Sequence, residues 1–421
     1  MQLFNHLDEH EAIQRRKGRK FAEMCIYSNK ISEIRFSQIL ANECKVSGSA
    51  EMILQELDEL RLLEKENKMD QARFKLKQAV EKLSNSKNTV IYDAFGIPSV
   101  MVEITAVNCE DLIDGTRMKG THPAFLYGQY RIRRIWVSKY INCLVEGKTA
   151  SLPMSEPAYI PNFEVALQSV KGKGPGWMIM PFQLRMAILL RMWKHQMNPT
   201  GNTDIGQDYY KRSEIGIQTT TGSVLTGSGP KQWTHNGQTT GIWDLVGNLN
   251  EWDCGFRLMN GEIQLIDTVD LLRKDCSFEV NSSYWHALDK NGKRVLPGNP
   301  EALHFDGHDG AVRITTKVEE HGLGNCAFRD VSSAEGFEVP ELLKMIGLYP
   351  AHHDEPERIG WRWINTKGEA IPLCGGAFRI MNHSGLFFMG VTKQRDVNYP
   401  LSGVRSVYIS KNDFEEANVS E

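Results

Sequence analysis

The segment GIWDLVGNLNEWDCGFRL, from Gly241 to Leu258, is the most distinctive part of this 421-residue chain and the part from which its fold is predicted. Four of its residues are spaced so that two carboxylates and two backbone carbonyls could converge: Asp244, Gly247, Leu249 and Glu251. Such a mixed set of oxygen ligands is what Ca²⁺ prefers. The alternative is a polar turn, in which Asn248 and Asn250 hydrogen-bond to nearby backbone groups. The spacing alone leaves both interpretations open.

The chain on either side of this segment predicts an α+β fold. Residues 89–107 and 133–147 are rich in β-branched residues and are predicted to form strands. Residues 162–174 and 181–196 carry apolar residues at helical spacing, and a proline suited to the first helical turn opens the second stretch. Between residues 198 and 405 we expect short strands and many turns, with no long helix.

Residues 1–88 have a different character and are predicted to be helical. They contain no proline and two glycines, and apolar residues recur at helical spacing between Ser49 and Ser84. The apolar seam changes register near residues 64–70, which indicates a helical hairpin or a coiled coil with a stutter. We therefore predict two parts: a helical region over residues 1–88, for oligomerisation or attachment, and a folded domain over residues 89–421.

Composition and charge argue against several classes of protein. The net charge is −3, so the overall charge does not favour nucleic-acid binding. No run of about 18 apolar residues is present, which argues against membrane insertion. The first 20 residues lack the apolar core of a signal peptide. The eight cysteines show no zinc-binding spacing, and we expect free thiols in a reducing cytoplasm.

Two further motifs allow a metal-binding interpretation and a simpler one. HFDGHDG, residues 304–310, has the residue types of a two-histidine, one-carboxylate iron site, and HHDEPE, residues 352–357, is comparable. Both are equally typical of exposed turns, which is the interpretation we favour. The glycine-rich pieces lack the ending of a phosphate-binding loop, and no serine-nucleophile motif is present.

The C-terminal stretch CGGAFRIMNHSGLFFMGVTKQRDVNYPLSGVRS, from Cys374 to Ser406, mixes two kinds of position. Small and aromatic residues stand where a fold would need them. Chemically unrelated residues lie between them and follow neither a helical nor a strand period. A pattern of this kind indicates that some positions hold the fold while the others are free to change.

Both segments resemble known families. GIWDLVGNLNEW is similar to the signature of the formylglycine-generating-enzyme family, which has a C-type-lectin-like fold, and Gly375–Phe378 and Gly403–Arg405 match that family's other hallmark. The tail is still more similar to the variable proteins of diversity-generating retroelements, which are receptor-binding proteins best known from phage. The resemblance covers about residues 89–406. Three residues depart from the usual Arg, Ser and Trp of the pattern: Cys374, Ala377 and Phe378.

This resemblance implies a C-type-lectin-like domain with a variable region over about residues 375–405. In such proteins, template adenines are copied with errors into the 3′ end of the gene, so that displayed side chains change while the scaffold is kept. The implied ligand-binding residues are Arg379, Ile380, His383, Phe388, Gly390, Thr392, Lys393, Val397, Asn398, Tyr399 and Leu401. Lys393 is not reachable from an AAC codon by changing its adenines, so it would need another template codon or be a fixed position.

The resemblance also implies partners and a location. It implies a host-surface protein or glycan as the receptor, no enzymatic activity and no required cofactor. The chain is expected in the virion, as part of a phage tail, or in the bacterial cytoplasm before assembly. A homotrimer through the N-terminal helices is expected because related phage proteins are often trimeric. Family members with the oxidase function place a structural Ca²⁺ at the positions of Asp244, Gly247, Leu249 and Glu251, which favours the calcium interpretation here.

Two alternative functions stay open. A formylglycine-generating oxidase would need a closely spaced cysteine pair just after the Gly-Gly motif, and no cysteine follows Cys374. We therefore disfavour this function. A binding protein displayed on a bacterial surface outside a phage fits the same residues, apart from the missing export signal.

Overall fold

The computed structural model describes residues 69–416 apart from residues 129, 309, 320, 335 and 354–358. The helices of this part are α1 (Met69–Leu83), α2 (Phe163–Lys171), α3 (Phe182–Lys194), α4 (Thr268–Leu271) and α5 (Glu341–Met345). The strands, in chain order, are β1 (Asn88–Tyr92), β2 (Pro98–Thr105), β3 (Leu126–Tyr127), β4 (Tyr130–Ile132), β5 (Arg134–Ser138), β6 (Cys143–Val145), β7 (Lys148–Ala150), β8 (Trp177–Ile179), β9 (Asn250–Trp252), β10 (Phe256–Met259), β11 (Glu262–Leu265), β12 (His286–Leu288), β13 (Arg294–Val295), β14 (His304–His308), β15 (Ala311–Thr315), β16 (Leu323–Ala327), β17 (Ser332–Ser333), β18 (Trp361–Asn365), β19 (Glu369–Cys374), β20 (Met389–Lys393), β21 (Ser402–Val404), β22 (Ser406–Tyr408) and β23 (Phe414–Glu416). The predicted α+β class is confirmed.

One sheet joins the two ends of the described chain. Its five strands follow the order β1-β2-β5-β22-β8, and every neighbouring pair is antiparallel. Strand β22 lies between β5 and β8, and it directly follows the C-terminal stretch that carries the candidate ligand-binding residues. The stretch predicted to be variable is therefore followed immediately by an inner strand of a sheet whose other members come from residues 88–179.

A second, larger sheet carries the rest of the strands that matter for the site. Its main path runs β16-β18-β20-β19-β10-β11-β14-β15-β17, and β9 pairs both with β19 and with β21. Strands β18 and β20 are parallel, as are β9 and β21. Parallel neighbours need long connections, and here the connection between β18 and β20 passes through β19 and the loop that follows it.

The helices begin where local signals predict them. The Asn162 side chain accepts a hydrogen bond from the Val165 N–H and caps α2, and Pro181 occupies the cap position of α3. Most side chains of α3 are buried, so this helix forms part of the core and is not a surface helix with one apolar face. The predicted helices over residues 162–174 and 181–196 are thus confirmed.

The boundary predicted at residue 88 does not coincide with a break in packing. Leu76 and Val80 of α1 are buried in one apolar cluster with Val90 and Val100 of the first sheet. Helix α1 therefore belongs to the folded body. The remainder of the predicted helical region, residues 1–68, lies outside the described residues, as do Cys25 and Cys44.

Two further expectations can be compared with the described residues. The cysteines in this part of the chain are all free thiols, as predicted. None of the helices between Met69 and Glu416 is long and apolar enough to cross a bilayer. HFDGHDG differs from its prediction, because residues 304–308 form strand β14, paired with β15, where we expected an exposed turn.

Candidate binding surface

The C-terminal stretch is attached to strand β9 at both of its ends. Before the variable region, Cys374 of β19 pairs with Glu251, and after it Gly403 of β21 pairs with the same residue. The chain from Gly375 to Leu401 therefore begins beside one edge of β9, at the end of β19, and ends beside the other edge of β9, at the start of β21. Its ends are fixed by backbone hydrogen bonds, whatever side chains stand between them.

A buried network of charges locks this arrangement. Glu251 accepts hydrogen bonds from Arg405 and Arg185, each at 2.6 Å, and Asp253 also pairs with Arg185. Arg405 donates further hydrogen bonds to the backbone carbonyls of Ser138 and Trp243 at 2.8 Å. Burial opposes ionisation of Glu251, but the two guanidinium groups outweigh it and lower the pKa of this carboxyl. Two carboxylates and two guanidinium groups balance each other in the interior.

This network conflicts with the predicted calcium site. The Glu251 carboxylate faces two cationic side chains, so a Ca²⁺ ion bound to it would lie beside two positive charges. Gly247, with φ +80°, donates its N–H to the Gly375 carbonyl, and the side chain of Leu249 is buried beside Ile141. Within the described residues no group of three acidic, histidine or cysteine side chains could hold a metal. Three of the four residues are thus engaged in other ways: Glu251 in ion pairs, Gly247 in a backbone hydrogen bond and Leu249 in packing.

Asp244 is the member of that set with an unusual environment. It has φ +59° and is buried, and neither carboxylate oxygen makes a hydrogen bond of regular geometry with a described residue. Burial raises the pKa of Asp244 to about 7, although Arg405, the Asn248 side chain and the Gly227 N–H lie close enough to oppose the rise. Asn248 itself exchanges hydrogen bonds with the backbone of Val224. Asn250 likewise donates to the Leu401 carbonyl, so both asparagines bond to backbone that is distant in sequence and not to the local groups of the predicted polar turn.

The predicted scaffold and display positions separate in the tail. Ala377, Phe378, Leu386 and Phe387 are buried, as a scaffold requires. Among the candidate ligand-binding residues, the exposed ones are Arg379, Val397 and Asn398. The half-buried ones are Ile380, His383, Gly390, Thr392, Lys393, Tyr399 and Leu401. The residues of the first group are exposed to solvent, whereas each residue of the second group is only partly exposed.

Phe388 differs from the expected display. Its side chain is only 4% exposed, so it lies in the interior, immediately before β20. A Cβ atom on Gly360 would come within 2.4 Å of the Phe388 backbone nitrogen, so the two backbone segments are in close contact here. Leu401 is half-buried against the apolar cluster of Ile141, Leu249 and Phe378. Phe388 therefore belongs to the buried part of the tail, against the prediction, and Leu401 combines packing with partial exposure.

One part of the surface is aromatic. The His383 ring lies 4.2 Å from the Trp361 ring and 5.7 Å from the Trp363 ring, measured between centroids. Trp363 pairs with Gly390 across the parallel strands β18 and β20 and is 37% exposed. The buried indole N–H of Trp361 has no partner among the described residues. Neither tryptophan was among the predicted binding residues, although the alternation in WRWIN places both on one face of a strand.

A second part of the surface surrounds Tyr399. The Lys393 ammonium lies 5.5 Å from the centre of the Tyr399 ring, and the Asn250 side chain donates to the Tyr399 hydroxyl at 3.4 Å. Burial raises the pKa of the Tyr399 phenol, and its backbone N–H donates to the Pro161 carbonyl. Nearby, the Asn162 side chain donates to Asn398 Oδ1 at 3.0 Å. Of these groups Asn398 is exposed, and Tyr399 and Lys393 are half-buried.

The cysteines that an oxidase could use lie in unfavourable surroundings for thiolate chemistry. Burial raises the pKa of the Cys326 thiol to about 11 and that of Cys374 well above its ordinary value. Cys326 is in β16 and Cys374 is in β19, within the second sheet. A metal-ligating or nucleophilic cysteine acts as the thiolate, and neither residue favours that form.

The two motifs with iron-site residue types do not assemble a metal site in the described part of the chain. Asp306 of HFDGHDG is ion-paired with Arg313 at 2.7 Å, and His304 Nδ1 lies 2.9 Å from the Ala302 carbonyl oxygen. Most of HHDEPE lies outside the described residues.

Comparison with known proteins adds no assignment. No protein-family model matches the chain, and a search of the curated proteins finds no significant match. The resemblance to variable proteins of diversity-generating retroelements thus stays a prediction from sequence motifs.

Proposed function

We propose that this chain is a hypervariable ligand-binding protein that presents the side chains of residues 375–405 on a C-type-lectin-like scaffold. One observation carries the proposal: the chain from Gly375 to Leu401 is fixed at both ends to β9, while most of its candidate ligand-binding side chains reach the surface. A segment held in this way tolerates substitution, because its attachment uses backbone hydrogen bonds and the buried ion pair of Arg405 with Glu251.

Strand β20 illustrates how variation can be kept apart from folding. Met389 and Val391 point into the core, whereas Gly390 and Thr392, on the other face, are half-exposed. Successive side chains of a strand point to opposite faces, so changing the outward residues leaves the inward ones in place. This separation is what a protein diversified at selected codons requires.

The chemistry of the surface suits binding of a host-surface protein or glycan. Arg379 lies 5.5 Å from the ring of the buried Phe378, and Trp363 offers an aromatic face beside His383. Arginine and aromatic side chains contribute most of the energy at many binding surfaces, because they bury a large area with few degrees of freedom. The partly exposed Tyr399 and Lys393 extend the same chemistry.

The proposed setting is a phage tail or a prophage-encoded particle, with the chain in the virion or in the bacterial cytoplasm before assembly. A homotrimer formed through the N-terminal helices is part of this proposal, and the residues that would form it lie largely outside the described part of the chain. The proposal includes no catalytic activity, no nucleic-acid partner and no required cofactor.

The experiment that tests the proposal exchanges the Gly375–Arg405 segment between this chain and a second natural variant, and measures adsorption to the host of each. We expect specificity to follow the exchanged segment. As a matched pair, Arg379→Ala should abolish adsorption, whereas Arg117→Ala, an exposed arginine far along the chain from the tail, should not. If specificity stays with the recipient body, the variable-receptor function is wrong.

A further inference from the structure

A cavity of about 380 Å³ lies between the end of β2, helix α3 and the turn at residues 235–236. We call it the α3 cavity; it is lined by Glu103, Ile104, Thr105, Val107, Phe125, Ala187, Ile188, Arg191, Met192, His195, Met197, His235 and Asn236. None of these residues belongs to the tail from Gly375 to Arg405. Its volume falls at the lower end of the range typical of small-molecule sites, about 300–1,000 Å³.

One side of the cavity is apolar and rigid. Ile104, Phe125, Ile188 and Met192 are all buried members of the main core cluster. Their positions are set by β2, by the 3₁₀ turn at Pro123–Phe125 and by α3, so this side exists without a ligand. An aliphatic chain or an aromatic ring would be removed from water on entering it, which is favourable in proportion to the apolar area buried.

The other side carries a histidine whose proton position is set by the backbone. His235 Nδ1 accepts a hydrogen bond from the Ile242 N–H at 2.7 Å, so the hydrogen of the neutral ring is on Nε2. Burial, then the charges of Arg191 and Arg405, lower the pKa of His235 to about 4, and the ring is neutral at pH 7. No described residue accepts a hydrogen bond from Nε2, which leaves this donor for a molecule in the cavity.

Arg191 supplies the positive charge. Among the described residues its contact is a long hydrogen bond of 3.5 Å to the Thr105 hydroxyl, and no described carboxylate lies within ion-pair distance of it. Glu103, the acidic residue of the lining, is 3.7 Å from Arg134, whose shorter ion pair, at 2.7 Å, is with Asp413. The α3 cavity therefore combines one cation that has no ion-pair partner among the described residues, one neutral N–H donor and an apolar wall.

From this combination we infer that the α3 cavity binds a small monocarboxylate with an aliphatic or aromatic body. The carboxylate would accept hydrogen bonds from Arg191 and from His235 Nε2, and the body would lie against Ile104, Ile188 and Met192. A planar guanidinium matches a carboxylate with two parallel hydrogen bonds. A doubly charged phosphate fits less well, because the cavity offers one unpaired cation and also contains Glu103. The inference does not rest on the proposed receptor-binding function.

The test uses the full chain and four probes: hexanoate, benzoate and their neutral counterparts hexanamide and benzamide. Calorimetry at pH 7 and constant salt should show the acids binding at least about tenfold more tightly than the amides, because only the acids pair with Arg191. Arg191→Gln, at an exposed position, should remove most of this preference. Lys194→Gln, on the same helix but outside the lining, is the matched control and should retain it.

Three results would overturn the inference. The first is that neither acid binds at concentrations up to about 10 mM, a weak limit for a site of this kind. The second is equal affinity for acids and amides in the unaltered chain. The third is unchanged acid binding in Arg191→Gln, with folding verified by circular dichroism. Each outcome concerns the α3 cavity alone, so it leaves the segment-exchange experiment unaffected.

Discussion

Replacing Glu251 by Gln removes the centre of the buried charge network without changing its volume. Glu251 accepts from both Arg405 and Arg185, and all three side chains are at most 1% exposed. In Glu251→Gln, Arg185 keeps Asp253 as a charged partner, whereas Arg405 loses its ion-pair partner and keeps its hydrogen bonds to the carbonyls of Ser138 and Trp243. Leaving a buried charge without its partner costs about 3–5 kcal/mol.

This cost translates into a shift in melting temperature that can be measured. Unfolding entropy is about 2.1 cal/mol/K per residue, which for a body of roughly 350 residues corresponds to about 0.7 kcal/mol/K. A loss of 3–5 kcal/mol should therefore lower Tm by about 4–7 °C. Differential scanning calorimetry is the suitable assay, because it also reports whether the transition of so large a body is two-state.

The matched control is Glu338→Gln, which removes the carboxylate of an exposed ion pair. The side chain of Glu338 is 78% exposed and that of its partner Arg117 is 71% exposed. Exposed pairs contribute about 0–1 kcal/mol, so this variant should melt within about 1–2 °C of the unaltered chain. The Tm of each sample is also measured with a calcium chelator, and we expect the chelator to leave Tm unchanged.

Two outcomes would refute this reasoning about Glu251. One is a Tm for Glu251→Gln no lower than that of the control variant, since the ion pairs would then contribute little. The other is a chelator-dependent loss of stability in the unaltered chain that disappears in Glu251→Gln. That result would identify Glu251 as a metal ligand, because removal of a bound ion destabilises only a protein that binds it.

Two further predictions concern the same part of the molecule. Because burial raises the pKa of Asp244 to about 7, the native state resists its ionisation; the resulting loss of stability is absent below the unfolded pKa of 3.8 and grows as pH rises towards 7. Asp244→Asn should therefore be more stable than the unaltered chain at pH 8, by on the order of 4 kcal/mol at most, and equally stable near pH 3.5. Melting curves of both proteins across this pH range test the prediction. A lower stability of Asp244→Asn at pH 8 would contradict it. Replacing the tail residues Arg379 and Thr392 together by Ser should cost within about 1 kcal/mol, whereas Phe388→Ala should cost about 3–5 kcal/mol because it empties a buried site. Denaturant unfolding of both variants is the measurement, and equal losses would show that display and scaffold positions are not separated.

Local features of the structure were predictable from the sequence because their causes are local. Helices α2 and α3 follow from apolar spacing and from the residues at Asn162 and Pro181, which act within one turn. The buried and exposed residues of the tail were separated correctly where small or aromatic residues marked the scaffold. Phe388 was assigned to the wrong class, because its burial depends on the approach of Gly360, which is distant in sequence.

The α+β class and the positions of α2 and α3 could be predicted from the sequence, as could the stretch in which buried and accessible residues alternate. The role of Glu251 could not be predicted in this way, because its partners Arg185 and Arg405 are 66 and 154 residues away in sequence and come together only in the folded chain. The same holds for the tryptophans beside His383 and for the α3 cavity, whose lining is drawn from residues between Glu103 and Asn236. The sequence spacing of a carboxylate does not distinguish a metal ligand from an ion-pair partner. The difference depends on which charges the folded chain brings within a few ångströms of it.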